Sequence, residues 1–196
     1  RGEERYMVAN PLPESASLTV EEYLVLEEAS QERHEYIDGQ LRAMAGGTTA
    51  HDRIANTIRT TIDAHLGDGP CAVYGPDVRL QIGTSIYYYP DAMVTCDEVE
   101  ALGGQEVSVS VPRLIVEVLS EGTEAIDRGD KFADYQSLPS CEEYLLVSAR
   151  RRAVEYFRRA AAGLWTYQRY GPDEVLTLES IGLTCPVAAL YRRTRL

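Results

Sequence analysis

Between Thr48 and Leu66 the apolar residues fall at Ile54, Ile58 and Ile62, one every four positions, with polar residues between them. That spacing lays a single stripe along a helix, so this segment is predicted to be an amphipathic helix with its isoleucines against a core. Upstream, Thr19 with Glu22 three positions later fits a capping box, and Tyr23, Leu24 and Leu26 supply apolar contacts for a helix reaching about Ala29. Between the two, HEYIDGQLRAMA places Asp38-Gly39 between short alternating runs, a strong signal for a hairpin.

After Leu66 the period becomes that of strands. CAVYGPDVRLQI and SIYYYPDAMVT read as two strands turned at Gly83, and PRLIVEVLS is the near-continuous apolar run of a central strand buried on both faces. A helix is predicted from Thr123 to Ser137, ended by the LPS that follows. EEYLLVS, RAVEYFRRA and LWTYQRY then read as three successive strands, and EVLTLESIGLTCPVAALY as a strand and a short closing segment. The expected class is α+β: a mixed sheet with a helical crossover, preceded by a helix and hairpin and followed by an antiparallel extension. No internal repeat or linker divides the chain, so residues 18–196 are expected to form one domain behind a flexible lead-in, residues 1–17. The lead-in lacks the apolar segment of a signal peptide, and the missing initiator Met points to a processed start.

Composition narrows the setting. Hydrophobic content of 44% and charged content of 26% fit a soluble protein, and no apolar run approaches the roughly 20 residues that span a bilayer. A cytoplasmic location without membrane contact is expected. Cys71, Cys96, Cys141 and Cys185 are widely separated, with no C-x-x-C pair or accompanying His cluster. This argues against a zinc site or a dense disulfide framework and predicts mostly buried free thiols in a reducing compartment. The net charge of −12 opposes polyanion binding. Local clusters remain at Arg150, Arg151 and Arg152, at Arg158 and Arg159, and at Arg192, Arg193 and Arg195.

Two acids interrupt the apolar strands. Glu117 lies inside LIVEVLS, where a carboxylate is costly to bury unless paired or bound to a cation. Asp91 follows Pro90 in YYYPDAMV, and the proline favours a strand end or bulge where a side chain can be re-aimed. On neighbouring strands these acids could converge on one hard cation, Mg²⁺ or Mn²⁺. Each could instead cap a turn or meet an arginine such as Arg113 or Arg79. Asp77, in a second Pro-Asp pair, reads as turn chemistry. Lys131 in DRGDKFADY is the only lysine of the chain, although Lys and Arg together number 19. An ammonium is a compact charge that a guanidinium does not replace. Glu35 could line the same cleft, as could His51 in the first turn of its helix. His34 and His65 read as structural. Tyr87, Tyr88 and Tyr89 could stack on bases, but their place in a strand favours core packing.

Pro90-Asp91, the run Glu117-Val118-Leu119-Ser120, Asp127-Arg128-Gly129 with Lys131, Tyr135 and the SLPSCEEYLLV run together resemble the Uma-type restriction endonuclease family of the PD-(D/E)xK nuclease superfamily, over roughly Leu18 to Tyr170. HEYIDGQL and the helix at His51 resemble the family's N-terminal half. The resemblance implies a restriction-endonuclease-like mixed sheet flanked by helices. It also implies a Mg²⁺ (or Mn²⁺) ion held by Asp91, Glu117 and the Val118 backbone carbonyl. Lys131 would orient or deprotonate a water, or stabilise charge in the transition state, with an acid at Glu35. Leu119 stands where the superfamily usually has its lysine, and Lys131 on the next helix would replace it. The implied activity is phosphodiester hydrolysis, in DNA, by a homodimer. The alternatives are a catalytically idle or regulatory binding protein on the same fold, or a Mg²⁺-dependent phosphoesterase acting on nucleotides or RNA.

Overall fold

A computed structural model describes residues 17–44, 46–105 and 107–196. The predicted lead-in, residues 1–17, lies outside the described residues except for Ser17. Helix α1 (Val20–Ala29) is capped as its spacing predicts: the Thr19 hydroxyl accepts from the Glu22 N–H, and the Glu22 carboxylate accepts from the Thr19 N–H. Strands β1 (His34–Ile37) and β2 (Gln40–Ala43) form the predicted hairpin. Asp38 and Gly39 both have positive φ, +46° and +93°, as a tight two-residue turn of this hand requires. Helix α2 (Thr49–Leu66) buries Ile54, Ile58 and Ile62 as a stripe, with Thr48 as its cap.

The next segment departs from the expectation of two strands. It forms four: β3 (Ala72–Tyr74), β4 (Arg79–Ile82), β5 (Ile86–Tyr88) and β6 (Ala92–Thr95). The turn at Gly83 is present, with φ +57°. Gly75-Pro76 and Pro90 break each long run, because proline gives the ladder no donor. The halves then diverge into different sheets. Helix α3 (Glu98–Leu102) and strand β7 (Ser108–Val109) were not predicted, being too short to show a period.

Strand β8 (Pro112–Leu119) is buried as its apolar run predicts. The single helix expected from Thr123 to Ser137 is two, α4 (Glu124–Arg128) and α5 (Asp130–Ser137). Gly129 separates them, with ψ −94° outside the helical well. Strands β9 (Glu143–Ser148), β10 (Val154–Arg159) and β11 (Trp165–Tyr170) follow as predicted. The tail holds two strands rather than one, β12 (Val175–Leu178) and β13 (Leu183–Pro186), and closes with α6 (Val187–Leu190).

The central sheet runs β11-β10-β9-β8-β6-β3, and the β8–β9 pair is parallel while its other pairs are antiparallel. A second sheet runs β2-β1-β5-β4-β7, and β12 pairs with β13. Alternation along β8 divides the core. Leu114, Val116 and Val118 pack with the isoleucines of α2, whereas Ile115 and Leu119 pack with Leu80, Tyr88 and Tyr135. Position 117 shares the face of 115 and 119, so its carboxylate is directed between the sheets. Tyr23, Tyr36 and Tyr87 form a third cluster that fastens α1 to the hairpin.

The expectation for the cysteines holds for Cys141 and Cys185, which are buried free thiols. It fails for Cys71 and Cys96, which form a disulfide. Their Cα atoms are 4.1 Å apart because each extends the paired ends of β3 and β6 by one residue. Widely spaced cysteines concealed this proximity, which only strand register could reveal. Among the described residues, no helix is long and apolar enough to cross a membrane.

Two measurements check this packing. Alkylation of the denatured chain should label two cysteines without reductant and four with it. Replacing buried Glu143 by Ala should cost about 3 kcal/mol in urea unfolding, because it orphans Tyr156 Oη–H, Ser180 Oγ–H and the N–H groups of Glu179 and Ser180.

Candidate active site

The register of β6 on β8 opposes Ala92 to Val116, which carries Asp91 to the position across from Glu117. Asp91 Oδ2 accepts the Val118 N–H at 2.7 Å and lies 3.2 Å from His51 Nε2. Glu117 Oε1 accepts from Lys131 Nζ at 3.0 Å and from Tyr135 Oη at 2.8 Å. Each acid therefore commits one oxygen to the protein. Asp91 Oδ1 and Glu117 Oε2 have no protein partner among the described residues, yet neither is a sealed, orphaned atom. Both residues line one cavity of about 290 Å³, together with Glu35, His51, Val118 and Lys131. The structure thus brings together every residue singled out for the site.

Lys131 sits at the centre of the acids. Its Nζ lies 2.7 Å from Glu35 Oε1, 3.0 Å from Glu117 Oε1 and 3.6 Å from Asp127 Oδ1, and 5.1 Å from the centroid of Tyr88. The break at Gly129 allows this, starting α5 on a new axis so that Lys131 enters from its first turn. Burial opposes the charge on Lys131, but Glu117, Glu35 and Asp127 more than offset it and hold the ammonium above its ordinary range. The ammonium form of Lys131 is thus the one these acids favour. Glu117 is pushed well above the usual carboxylate range, first by burial and then by Asp127, Asp91 and Glu35, with Lys131 pulling the other way. His51 is raised chiefly by its hydrogen bond to Asp91, against the effect of burial, with further contributions from Glu117 and the Val118 backbone.

Neither arginine considered as a partner for these acids reaches them: Arg113 pairs with Glu142 at 3.3 Å, and Arg79 lies over Tyr23 and Tyr87. Asp77 is an exposed turn residue near Arg33. His34 binds Glu27 and His65 meets the Ile181 carbonyl. Tyr87, Tyr88 and Tyr89 are buried, with the Tyr88 and Tyr89 hydroxyls bound to Asp134 and Glu27.

Two residues of the cavity escaped the sequence reading. Asp127 is buried, takes a hydrogen bond from Thr123 on Oδ2 at 2.8 Å, and has no hydrogen-bond partner on Oδ1. Its position four before Lys131, on the same helical face, was the available signal. Arg42 lines the cavity opposite Glu35 in the hairpin register, with Nη1 3.9 Å from Glu35 Oε2 and no hydrogen-bond partner on that buried nitrogen. The two-residue turn at Asp38-Gly39 fixes that pairing from sequence.

Three carboxylates, Glu35, Glu117 and Asp127, thus meet on one ammonium, with Asp91 lining the same cavity beside His51, and a cation fits the excess. The uncommitted oxygens of Asp91 and Glu117 are hard donors suited to Mg²⁺ or Mn²⁺. Among the described residues no three His, Cys, Asp or Glu side chains gather at coordinating spacing. A bound ion would thus rest on two carboxylates, the Val118 carbonyl and water, the partial protein shell that magnesium accepts. Replacing Lys131 by Met should cost about 3–5 kcal/mol in urea unfolding with EDTA present, since it leaves buried carboxylates uncompensated. Adding Glu117→Gln should recover part of that loss.

Comparison with known proteins bears on the family and the fold. A family model, Uma2, described as "Putative restriction endonuclease", matches residues 20–188. Two proteins of Synechocystis sp., both named only as uncharacterized, are relatives: slr1290 is 40% identical over 176 residues, covering 89% of this chain and 92% of its own length. The second, sll1609, is 33% identical over 149 residues, covering 76% of this chain and 84% of its own. A crystal structure of "a putative nuclease belonging to DUF820" from Anabaena variabilis superposes with a TM-score of 0.73 at 16% identity, covering 89% of this chain and 97% of that one, and so shares the fold. The match across nearly all of the described chain makes it a member of the Uma2 restriction-endonuclease-like family.

Proposed function

We propose that the chain is a divalent-cation-dependent endonuclease that hydrolyses phosphodiester bonds in DNA at the cavity built on Asp91, Glu117 and Lys131. One observation carries this reading. Asp91 and Glu117, on paired strands, each keep an uncommitted oxygen in one cavity beside a fixed ammonium. The family match supports it. A divalent cation at these oxygens would polarise the phosphate and make a nearby water more acidic.

The chain's own groups supply the rest. Tyr135 and Lys131 fix Glu117 through Oε1, and the Val118 N–H fixes Asp91 through Oδ2, so both acids are oriented before substrate enters. Lys131 places a permanent positive charge where negative charge grows on the phosphoryl oxygens. His51, hydrogen-bonded to Asp91, stands at the cavity wall with a raised affinity for its proton, suited to orienting a water or protonating a leaving oxygen. Arg42, which lines the same cavity with Nη1 3.9 Å from Glu35 Oε2, adds a second cationic group there. A cut through both strands would take two copies of the site.

Supercoiled plasmid with Mg²⁺ or Mn²⁺ should be nicked or linearised by the wild-type protein. Asp91→Ala and Lys131→Arg should each lower the rate by about 100-fold or more while leaving the unfolding profile cooperative. Full activity in either variant would remove these residues from the site. No cleavage by wild type under either metal would favour the binding-protein reading.

A further inference from the structure

The C-terminal arginines do more than decorate the surface. After α6, Leu190 and Tyr191 insert into the core beside Ile54 and Ile58 and fix the following turn against α2. Arg192 and Arg193 emerge next to Arg53, Asn56, Thr57 and Thr60 on the outer face of that helix, and the six residues enclose a groove of about 510 Å³. Among the described residues no carboxylate lines it. Among the described residues none of the three arginines has a salt-bridge partner, whereas Arg113, Arg128 and Arg158 are each paired with an acid. Three unpaired guanidiniums sharing one groove in a chain of net charge −12 oppose the charge balance of the whole molecule. Mutual repulsion among them is relieved by an anion, and the guanidinium fork matches phosphate oxygens.

We infer that this groove binds the phosphodiester backbone of a nucleic acid, outside the carboxylate cavity. The inference goes with the nuclease reading, naming where the same substrate is held. Helix α2 connects the two places: His51 in its first turn lines the carboxylate cavity, and the groove residues begin two positions later. At about 100° per residue, Arg53, Asn56, Thr57 and Thr60 lie about half a turn round the helix from His51, so a strand held in the groove reaches the cavity by passing over the N-terminal end of α2. Asn56 adds a neutral amide donor, whereas the Thr57 and Thr60 hydroxyls spend their protons on the helix's own carbonyls. The set suits a backbone read for charge rather than sequence.

The test is fluorescence anisotropy with a short labelled DNA duplex in EDTA over a range of KCl concentrations. It compares wild type, Arg53→Gln/Arg192→Gln/Arg193→Gln, and a control, Arg150→Gln/Arg151→Gln, that removes exposed arginines outside the groove. The triple variant should lose about 2–3 units of the slope of log affinity against log salt, and about 10-fold or more in affinity. The control should keep both. Hydrolysis of bis(p-nitrophenyl) phosphate with Mn²⁺, a diester small enough to need only the carboxylate cavity, should be unchanged in the triple variant. The same binding result with no hydrolysis by any of the proteins would discard the nuclease reading and leave the groove standing. A wild-type slope and affinity in the triple variant would overturn the inference. So would a wild type that binds inorganic pyrophosphate but no duplex, or binds neither.

Discussion

One ammonium, Lys131, makes the interior of this protein possible. Glu35, Glu117 and Asp127 arrive from a hairpin, a central strand and a helix end, and each is buried where a carboxylate alone would be unstable. Their oxygens meet on a single Nζ. The fold is arranged to deliver that atom: Gly129 breaks the crossover helix so that its second half starts beside β8, and Tyr135, one turn on, adds a hydroxyl to Glu117. An arginine would meet these oxygens differently, because its planar fork has fixed donor directions where the ammonium is a compact point charge.

The arrangement still leaves an excess of negative charge. Lys131 answers the acids it touches, while Asp91 keeps one oxygen and Glu117 another with no partner among the described residues. A pocket of this kind has unfavourable electrostatics by itself and favourable electrostatics with a divalent cation, which links its structure to its proposed chemistry. The same imbalance bears on substrate. Net charge −12 repels a polyanion overall, so productive contact depends on local positive ground. Under the proposed reading, Arg42 at the cavity and the three arginines beside α2 supply it.

Much of this was legible before folding. The isoleucine stripe of α2, the Thr19 cap, the Asp38-Gly39 hairpin and the buried run of β8 each follow from a local rule, and the structure keeps all four. Glu117 and Asp91 stood out because an acid in an apolar strand demands an explanation, and Lys131 because it is unique. What escaped notice depends on contacts between distant segments. Pro76 and Pro90 were visible, but which sheet each half-strand would join was not. Cys71 and Cys96 become neighbours only through the β3–β6 register. Asp127 lay four positions before Lys131 in a run read as one helix, yet its burial depends on how α4 is packed in the fold.

The central claim is that Asp91 and Glu117 together hold a catalytic cation beside Lys131. Anomalous diffraction at the manganese edge from a crystal soaked in Mn²⁺ tests it without reliance on any substrate. The account predicts one strong peak between the Asp91 and Glu117 carboxylates, absent in Glu117→Gln crystals. Density with no peak there, or a peak that persists unchanged in the variant, would contradict it.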